Sequence, residues 1–226
     1  MLKRLFGKLS GEVHGEGPAG TREDFTADFS AIKIAGPFAL SWKQGQSCSW
    51  KAKMQENLFD YLDVKVQNGA IQISFTRSIS LADIEKRPTI QITSPSINML
   101  DMTGSVRAKD WDVVHCDTFK LNMAGSGRVD VELAAQKIVI DKAGSGAVVF
   151  SGSADSIAIA TAGSGSINTL DVPARDVTIS AAGSGQSEVD CSERLEVNLA
   201  GSGKIRYTGN PVVNQNIFGS GKVSRI

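Results

Sequence analysis

Two pairs of acidic residues in the second half of the sequence have a spacing that catalytic carboxylates could use. Asp130 and Glu132 are two residues apart, as are Glu188 and Asp190, so each pair would share one face of an extended strand. Asp141 could lie on another wall. Such carboxylates could act on glycosidic bonds, as in the β-helical enzymes that cleave polysaccharides. However, the same spacing is typical of any solvated strand face. A polysaccharide-active enzyme is therefore kept only as an outside alternative.

The tetrapeptide Gly-Ser-Gly-Lys occurs at 201–204 and 219–222 and resembles the end of a phosphate-binding loop. Such a loop needs Ser or Thr directly after the lysine, followed by a helix. Ile205 and Val223 occupy that position. The G-x-S-x-G motif of the commonest hydrolases does not occur either. The sequence therefore excludes nucleotide binding by this loop and does not contain the nucleophilic serine motif of those hydrolases.

Imidazole and thiol groups are scarce. His14 and His115 are the two histidines, which leaves few candidates for a general base. Cys48, Cys116 and Cys191 are odd in number and have no CxxC spacing, so we expect reduced thiols rather than disulfides or a zinc site. The glycine-rich corners also lack the Asp of calcium-binding nonapeptides. We expect no catalytic residue, no metal and no cofactor.

The charge balance argues against two classes of partner. Twenty-four basic and 24 acidic residues give a formal net charge of zero, so no general field attracts nucleic acid or an anionic membrane. No apolar run approaches the roughly 18 residues of a membrane span. The basic start, 1–10, is followed by neither an apolar stretch nor a small-residue cleavage site. The sequence thus predicts no nucleic-acid partner, no transmembrane segment and a cytoplasmic location.

A repeat in the sequence predicts the strands that would position these residues. Gly-Ser-Gly recurs six times at intervals of 18 to 20 residues, after a degenerate Gly104-Ser105. Ala precedes five copies and Phe218 precedes the sixth. Apolar residues alternate before each copy and resume two residues after most of them, which is typical of half-buried strands. The corner residues are Gly125, Ser126, Gly127, Gly144, Ser145, Gly146, Gly163, Ser164, Gly165, Gly183, Ser184, Gly185, Gly201, Ser202, Gly203, Gly219, Ser220 and Gly221.

The even spacing favours an all-β solenoid over a series of antiparallel hairpins. Hairpins could also use Gly-Ser-Gly as a turn, but only stacked coils require equivalent residues at equal intervals. We therefore predict a parallel β-helix with coils of about 18 to 21 residues stacked about 4.8 Å apart. Its expected hand is right, because crossovers between parallel strands are nearly always right-handed. Each coil should consist of a strand, a short turn, a second strand and a glycine corner. We expect the serine hydroxyls to form a ladder that bonds to the neighbouring backbone.

Residues 25–98 lack the tripeptide but alternate in the same way, so we expect a β region that caps the first rung. The Asn68-Gly69 pair predicts a tight hairpin, and 56–62 and 81–86 could form short helical turns. The predicted organisation is a flexible polar leader over 1–24, this N-terminal region, and the repeat β-helix over 99–226. Residues 25–226 should form one continuous domain.

The last rung is a candidate interface. Only Lys222, Val223, Ser224, Arg225 and Ile226 follow the last tripeptide, which would leave a strand edge open to another chain. The charges of the lysine and the arginine could instead blunt this edge and keep the protein monomeric.

Several segments resemble the putative auto-transporter adhesin head domain, the GIN domain, formerly a domain of unknown function. The resemblance covers roughly residues 25–226 and depends on the order and spacing of its motifs. These are Asp28-Phe29-Ser30-Ala-Ile32, Gly36-Pro-Phe38, Gln44-Gly45, Glu56-Asn57-Leu58, Asn68-Gly69, Ile90-Gln-Ile92-Thr-Ser-Pro95 and the tandem corners. The resemblance implies a β-helical fold in bacterial proteins that are often exported or surface-attached, with no established catalytic residue.

We therefore expect a non-enzymatic β-helical interaction module. Self-assembly or scaffolding through open end rungs, giving a homo-oligomer, is the first mechanism. The alternative is an adhesin-like domain that binds a protein or glycan on a side wall. Trp42, Trp50 and Trp111 could stack on sugars there, although tryptophans of β proteins more often lie in the core or a cap.

Overall fold

The computed structural model describes residues 12–80 and 87–226, which fold almost entirely as β-strands. In the N-terminal part a 3₁₀ helix, Glu56–Tyr61, is the one interruption of this kind among the described residues. The strands there are β1 (Val13–His14), β2 (Ala19–Phe25), β3 (Ala31–Gly36), β4 (Ala39–Gln44), β5 (Ser49–Gln55), β6 (Leu62–Gln67), β7 (Ala70–Phe75), β8 (Ile79–Ser80) and β9 (Thr89–Ser94).

The remaining strands carry the repeat. They are β10 (Met99–Gly104), β11 (Arg107–Ala108), β12 (Val114–Gly125), β13 (Arg128–Gly144), β14 (Ala147–Ser153), β15 (Ser156–Gly163), β16 (Ser166–Gly183), β17 (Gln186–Gly201), β18 (Lys204–Thr208), β19 (Val212–Gly219) and β20 (Lys222–Arg225).

Parallel pairing between successive coils builds a β-solenoid of about seven turns. Equivalent corner glycines lie opposite each other in the ladders, as Gly125 does with Gly144 and Gly183 does with Gly201. The column extends into the N-terminal part, where Gly36 pairs with Gly104. The predicted all-β solenoid is confirmed. The tripeptides are nearly equally spaced because each coil must bring the same residue back to the same corner.

The inward residues of each coil form one continuous core. Ile138 and Ile140 are fully buried, and the exposed or half-buried residues alternate with them. The same buried cluster runs from Phe29 in the N-terminal part to Ile205 near the last coils. Phe119 and Phe150 meet edge to face inside it, with ring centroids 6.0 Å apart. Apolar burial along the whole axis therefore holds the stack of coils together.

The short turn expected within each coil is absent from several coils. β13, β16 and β17 run from one corner to the next over 17, 18 and 16 residues. Their chain bends while it keeps its ladder bonds to the adjacent coils, with the register slipping near Pro173. Pairing that resumes on both sides of each slip satisfies backbone polar groups that an isolated turn would leave to solvent.

Antiparallel strands form the N-terminal end of the solenoid. β5 pairs with β2 on one side and β9 on the other, and β6 pairs with β7 across a turn at Asn68 and Gly69, both with positive φ. The predicted hairpin and the helical turn at 56–62 are both present. The expected flexible leader needs correction, since residues 19–24 belong to β2 and pair with β5. The helical turn suggested for 81–86 lies outside the described residues.

Candidate binding surfaces

Close backbone approach, rather than side-chain chemistry, explains the glycine corners. Gly144 has φ 110°, and a Cβ atom built on it would lie 2.5 Å from the carbonyl oxygen of Gly125 in the coil below. A Cβ atom on Gly146 would lie 2.6 Å from the carbonyl oxygen of Gly127. These distances leave no room for any side chain.

Backbone amides, rather than the expected serine hydroxyls, bond these corners together. The Ser145 N–H donates to the Gly125 carbonyl at 3.1 Å, and the Ser202 N–H to the Gly183 carbonyl at 2.9 Å. The serine hydroxyls of the six corners are exposed, and within the described residues none makes a hydrogen bond. These hydroxyls form a row of short polar groups along one edge of the solenoid.

The acidic pairs do not come together. Asp130 stacks on Val149, which stacks on Asn168 and then on Glu188, so three coil steps separate the two acids. At about 4.8 Å per step they are roughly 14 Å apart, beyond the spacing of a glycosidase pair. Glu188 instead forms an ion pair with Arg206 in the next coil.

The other acids also meet ordinary partners or solvent. Asp130 contacts Arg128 at 3.5 Å, Asp141 contacts Lys120 at 3.5 Å, and Glu132 is exposed. Within the described residues, no group of three or more His, Cys, Asp or Glu side chains could hold a metal ion. The geometry therefore offers no built acid–base site at these positions.

The remaining reactive groups are dispersed. His115 is exposed, and all three cysteines are free thiols, with Cys48 and Cys191 buried. Burial raises the pKa of the Cys191 thiol, which disfavours the reactive thiolate. Trp42 is buried and donates its Nε1–H to Ser94 Oγ at 2.9 Å, as a core tryptophan should.

A buried lysine is the polar feature that the sequence reasoning missed. Lys142 is 4% exposed and follows Ile138 and Ile140 on the inward face, where the adjacent coil has Met123. Its Nζ donates to the Gly144 carbonyl at 3.1 Å, and burial lowers the pKa of its ammonium group. The period of two that marks the inward isoleucines would have located it. Its Nζ is therefore used at a corner, and the side chain also lines the outer trough described below.

The last coil exposes its apolar side chains. Val212, Phe218 and Ile226 are 69%, 76% and 55% exposed, and Ile217 is 36% exposed. Ile217 stacks on the buried Leu199, so its side chain continues the core column. Among the described residues, β19 pairs with β17 on one side and with no strand on the other.

The interface expected from the sequence, Lys222 to Ile226, contains the whole of the adjoining strand. Lys222 to Arg225 make up β20, which pairs with β18, and the Ile226 N–H donates to the Tyr207 carbonyl at 3.0 Å. Sequence reasoning missed the contribution of β19. Its signal was Phe218, which stands where five other coils have Ala.

A shallow trough runs along one outer face of the stack. It has a volume of about 530 Å³. Polar side chains line one side of it, namely Asn122, Asp141, Ser180 and Asn198, and Phe218 lies at its last coil. Its floor is a column of exposed alanines at Ala124, Ala143, Ala162, Ala182 and Ala200. The trough is continuous with the exposed apolar surface of β19.

No helix among the described residues has the length and apolar character needed to cross a bilayer.

Solved structures share this architecture. A putative adhesin from Bacteroides fragilis NCTC 9343 superposes with a TM-score of 0.84 at 22% identity, covering 95% of this chain and 100% of that one. A putative lipid binding protein from Parabacteroides distasonis ATCC 8503 has a TM-score of 0.72 at 26% identity, covering 95% and 99%. A putative adhesin from the same organism has a TM-score of 0.71 at 23% identity, covering 95% and 100%. No curated protein matches the chain.

The sequence also matches a family model over residues 28–211, described as "Putative auto-transporter adhesin, head GIN domain". That description does not favour the cytoplasmic location expected from the sequence. The match covers most of the solenoid and its cap, and the resemblance expected from the short motifs is confirmed. The chain therefore belongs to the head GIN domain family of putative auto-transporter adhesins.

Proposed function

We propose that this protein is a non-enzymatic interaction module that associates with a second copy of itself through its last coil. The observation that carries the proposal is the surface of β19. This strand has an unpaired edge among the described residues, exposes Val212 and Phe218, and carries no charged residue over Val212–Gly219. An uncharged edge with apolar side chains is a template for strand pairing.

The arrangement of the two ends favours a closed pair over a filament. The N-terminal end finishes in two edge strands, β2 and β6, which each pair on one side only among the described residues and carry charged residues, whereas β19 at the C-terminal end carries none. Charged edge strands are poor templates for pairing, so head-to-tail growth is disfavoured, whereas two uncharged C-terminal edges can meet about a twofold axis. Such a contact is self-complementary, because each β19 would meet its own copy in the antiparallel direction.

The experiment compares two substitutions at phenylalanines that are equally exposed. Phe218→Ala gives the last coil the residue that five other coils have, so the fold should persist. Phe25→Ala is the matched control, because Phe25 is also 76% exposed but lies in the cap. Multi-angle light scattering over a wide concentration range should show dimers for the unmodified protein and for Phe25→Ala, and largely monomers for Phe218→Ala. Equal masses for all three proteins would refute the proposal.

A second candidate function is adhesin-like recognition of a protein or glycan on the side wall, and the alanine trough favours it. Ala162→Phe should fill the trough without harming the fold, since Phe218 occupies the equivalent place in the last coil. Binding to an array of immobilised glycans and extracellular-matrix proteins would be compared for the two forms. This candidate requires a ligand that the unmodified protein retains and Ala162→Phe loses.

A further inference from the structure

A second concave site lies at the capped end, far along the chain from the last coil. It is a pocket of about 620 Å³ between β2, β5, the 3₁₀ helix and β6. Phe59, Leu62 and Val64 form its apolar side, and Arg22, Asp24 and Trp50 bring polar and aromatic groups to it. Its volume falls within the usual range for small-molecule sites, about 300–1,000 Å³.

The Arg22 guanidinium is held in place but keeps its donors available. It lies 4.5 Å from the centre of the Phe59 ring, a contact that orients the planar group. Within the described residues it makes no ion pair and no hydrogen bond. Its neighbour Glu23 also lines the pocket, but its carboxylate pairs with Lys51 at 2.9 Å rather than with Arg22. The pocket thus contains an arginine whose charge no described carboxylate neutralises by contact.

Asp24 and Trp50 stand beside this arginine. Asp24 lies two residues after Arg22 on the same face of β2, and directly opposite Trp50 of β5. Its Oδ1 accepts the Phe25 N–H at 2.8 Å, which leaves Oδ2 free. Trp50 is half-buried against the core, and its indole N–H makes no hydrogen bond with any described residue. One wall therefore presents an aromatic surface, a fixed acceptor and several free donors.

We infer that this pocket binds a pyranose ring of a glycan. The apolar C–H face of a sugar packs against the negative face of an indole ring. Vicinal hydroxyls match a planar guanidinium that donates and a carboxylate that accepts. Because Arg22 and Asp24 carry opposite charges, both a neutral sugar and a uronic acid satisfy this chemistry. The inference goes beyond self-association and is independent of it, since β2 and β5 take no part in the C-terminal contact.

Saturation-transfer difference NMR tests the inference with the full chain and the methyl glycosides of glucose, galactose, mannose, N-acetylglucosamine and glucuronic acid. At least one of these probes should receive saturation, with the ring protons of one face closest to the protein. Glucuronide alone would identify an acidic glycan, and a neutral glycoside would identify a neutral one. If none of the five binds at millimolar concentration, the inference is wrong.

Three variants locate any binding that is observed. Arg22→Ala and Asp24→Ala should each weaken it about tenfold or more, because each removes a hydrogen bond to a charged group. Lys53→Ala is the control, because Lys53 is an exposed residue of β5 that does not line the pocket, and it should bind as the unmodified protein does. Unchanged binding in both pocket variants, or equal loss in the control, would overturn the assignment. Light scattering of the same variants reports self-association separately, so failure of either proposal can be recognised.

Discussion

At the scale of single residues, the corner glycines have two separable properties, a positive φ and a close neighbour. Gly144 has both, whereas Gly69 has φ 70° and nothing within 4 Å of a built Cβ atom. Gly144→Ala should therefore lower the free energy of unfolding by about 2 kcal/mol or more, and Gly69→Ala by about 1 kcal/mol. Urea denaturation followed by circular dichroism measures both values. Equal losses would mean that backbone conformation alone, and not close stacking, selects glycine at the corners.

Lys142 gives a second prediction at this scale. Replacing a buried charge by an apolar side chain of similar volume is often stabilising, and Met123 already occupies the equivalent place one coil away. Lys142→Met should therefore raise the free energy of unfolding at neutral pH by about 1–3 kcal/mol. Lys137→Met, at an exposed lysine of the same strand, should change it by less than about 0.5 kcal/mol. Denaturation curves at pH 7 provide the comparison.

The pH dependence of this difference follows from the sign of the shift. Burial lowers the pKa of Lys142 below its usual value of 10.5. Between the lowered pKa and 10.5 the unfolded chain binds more protons than the folded one, so the unfolding free energy of the unmodified protein rises with pH. The advantage of Lys142→Met should be fully present below the folded pKa and shrink as the pH approaches 10.5. An advantage that stays constant up to that pH would show that the charge of Lys142 is not its source.

At the scale of elements, β20 should oppose the association that β19 favours. Lys222 and Arg225 are both exposed and place positive charge beside the β19 edge. In a pair of C-terminal ends these charges would approach their own copies, so the double substitution Lys222→Gln with Arg225→Gln should tighten association several-fold. Higher salt should tighten it for the unmodified protein and have less effect on the variant. Sedimentation velocity at 50 and 500 mM NaCl checks this, and weaker association of the variant would contradict it.

The elements also separate what the sequence could predict from what it could not. Each coil follows from local signals, since the tripeptide, the alanine before it and the inward isoleucines recur at fixed spacing. The hairpin at Asn68 and Gly69 follows from its turn residues. The pairing of β2 with β5 does not, because Ala19–Phe25 has mostly exposed residues and no alternation to mark it as a strand. The feature that marks its place is tertiary, since Arg22 lies over the Phe59 ring and a Cβ atom built on Gly20 would lie 3.3 Å from that ring.

The candidate surfaces divide in the same way. The sequence alone shows that Phe218 is an exception within a column of alanines, because equivalent residues of the coils stack. The pocket of Arg22, Trp50 and Phe59 joins three segments whose approach no periodicity encodes. Even the strands within a coil were harder to delimit than the coils, because the ladder to the neighbouring coils continues through bends such as that near Pro173.

At the scale of the whole molecule, the solenoid is a rod with two different ends. One end finishes in the charged edge strands β2 and β6, and the other presents Ile217, Phe218 and the uncharged β19 edge. In the proposed association the last coils of two chains would meet, and the charged edges at the other end would oppose growth into a fibre. The sides of the rod, with the alanine trough and the pocket at the cap, would remain free in such a pair.

The mass of the unmodified protein at sedimentation equilibrium tests this account most directly. As the concentration rises, the weight-average mass should climb from the chain mass of 23.9 kDa and level off at twice that value. A mass that stays at that of one chain throughout, or one that continues to rise beyond two chains, would contradict it.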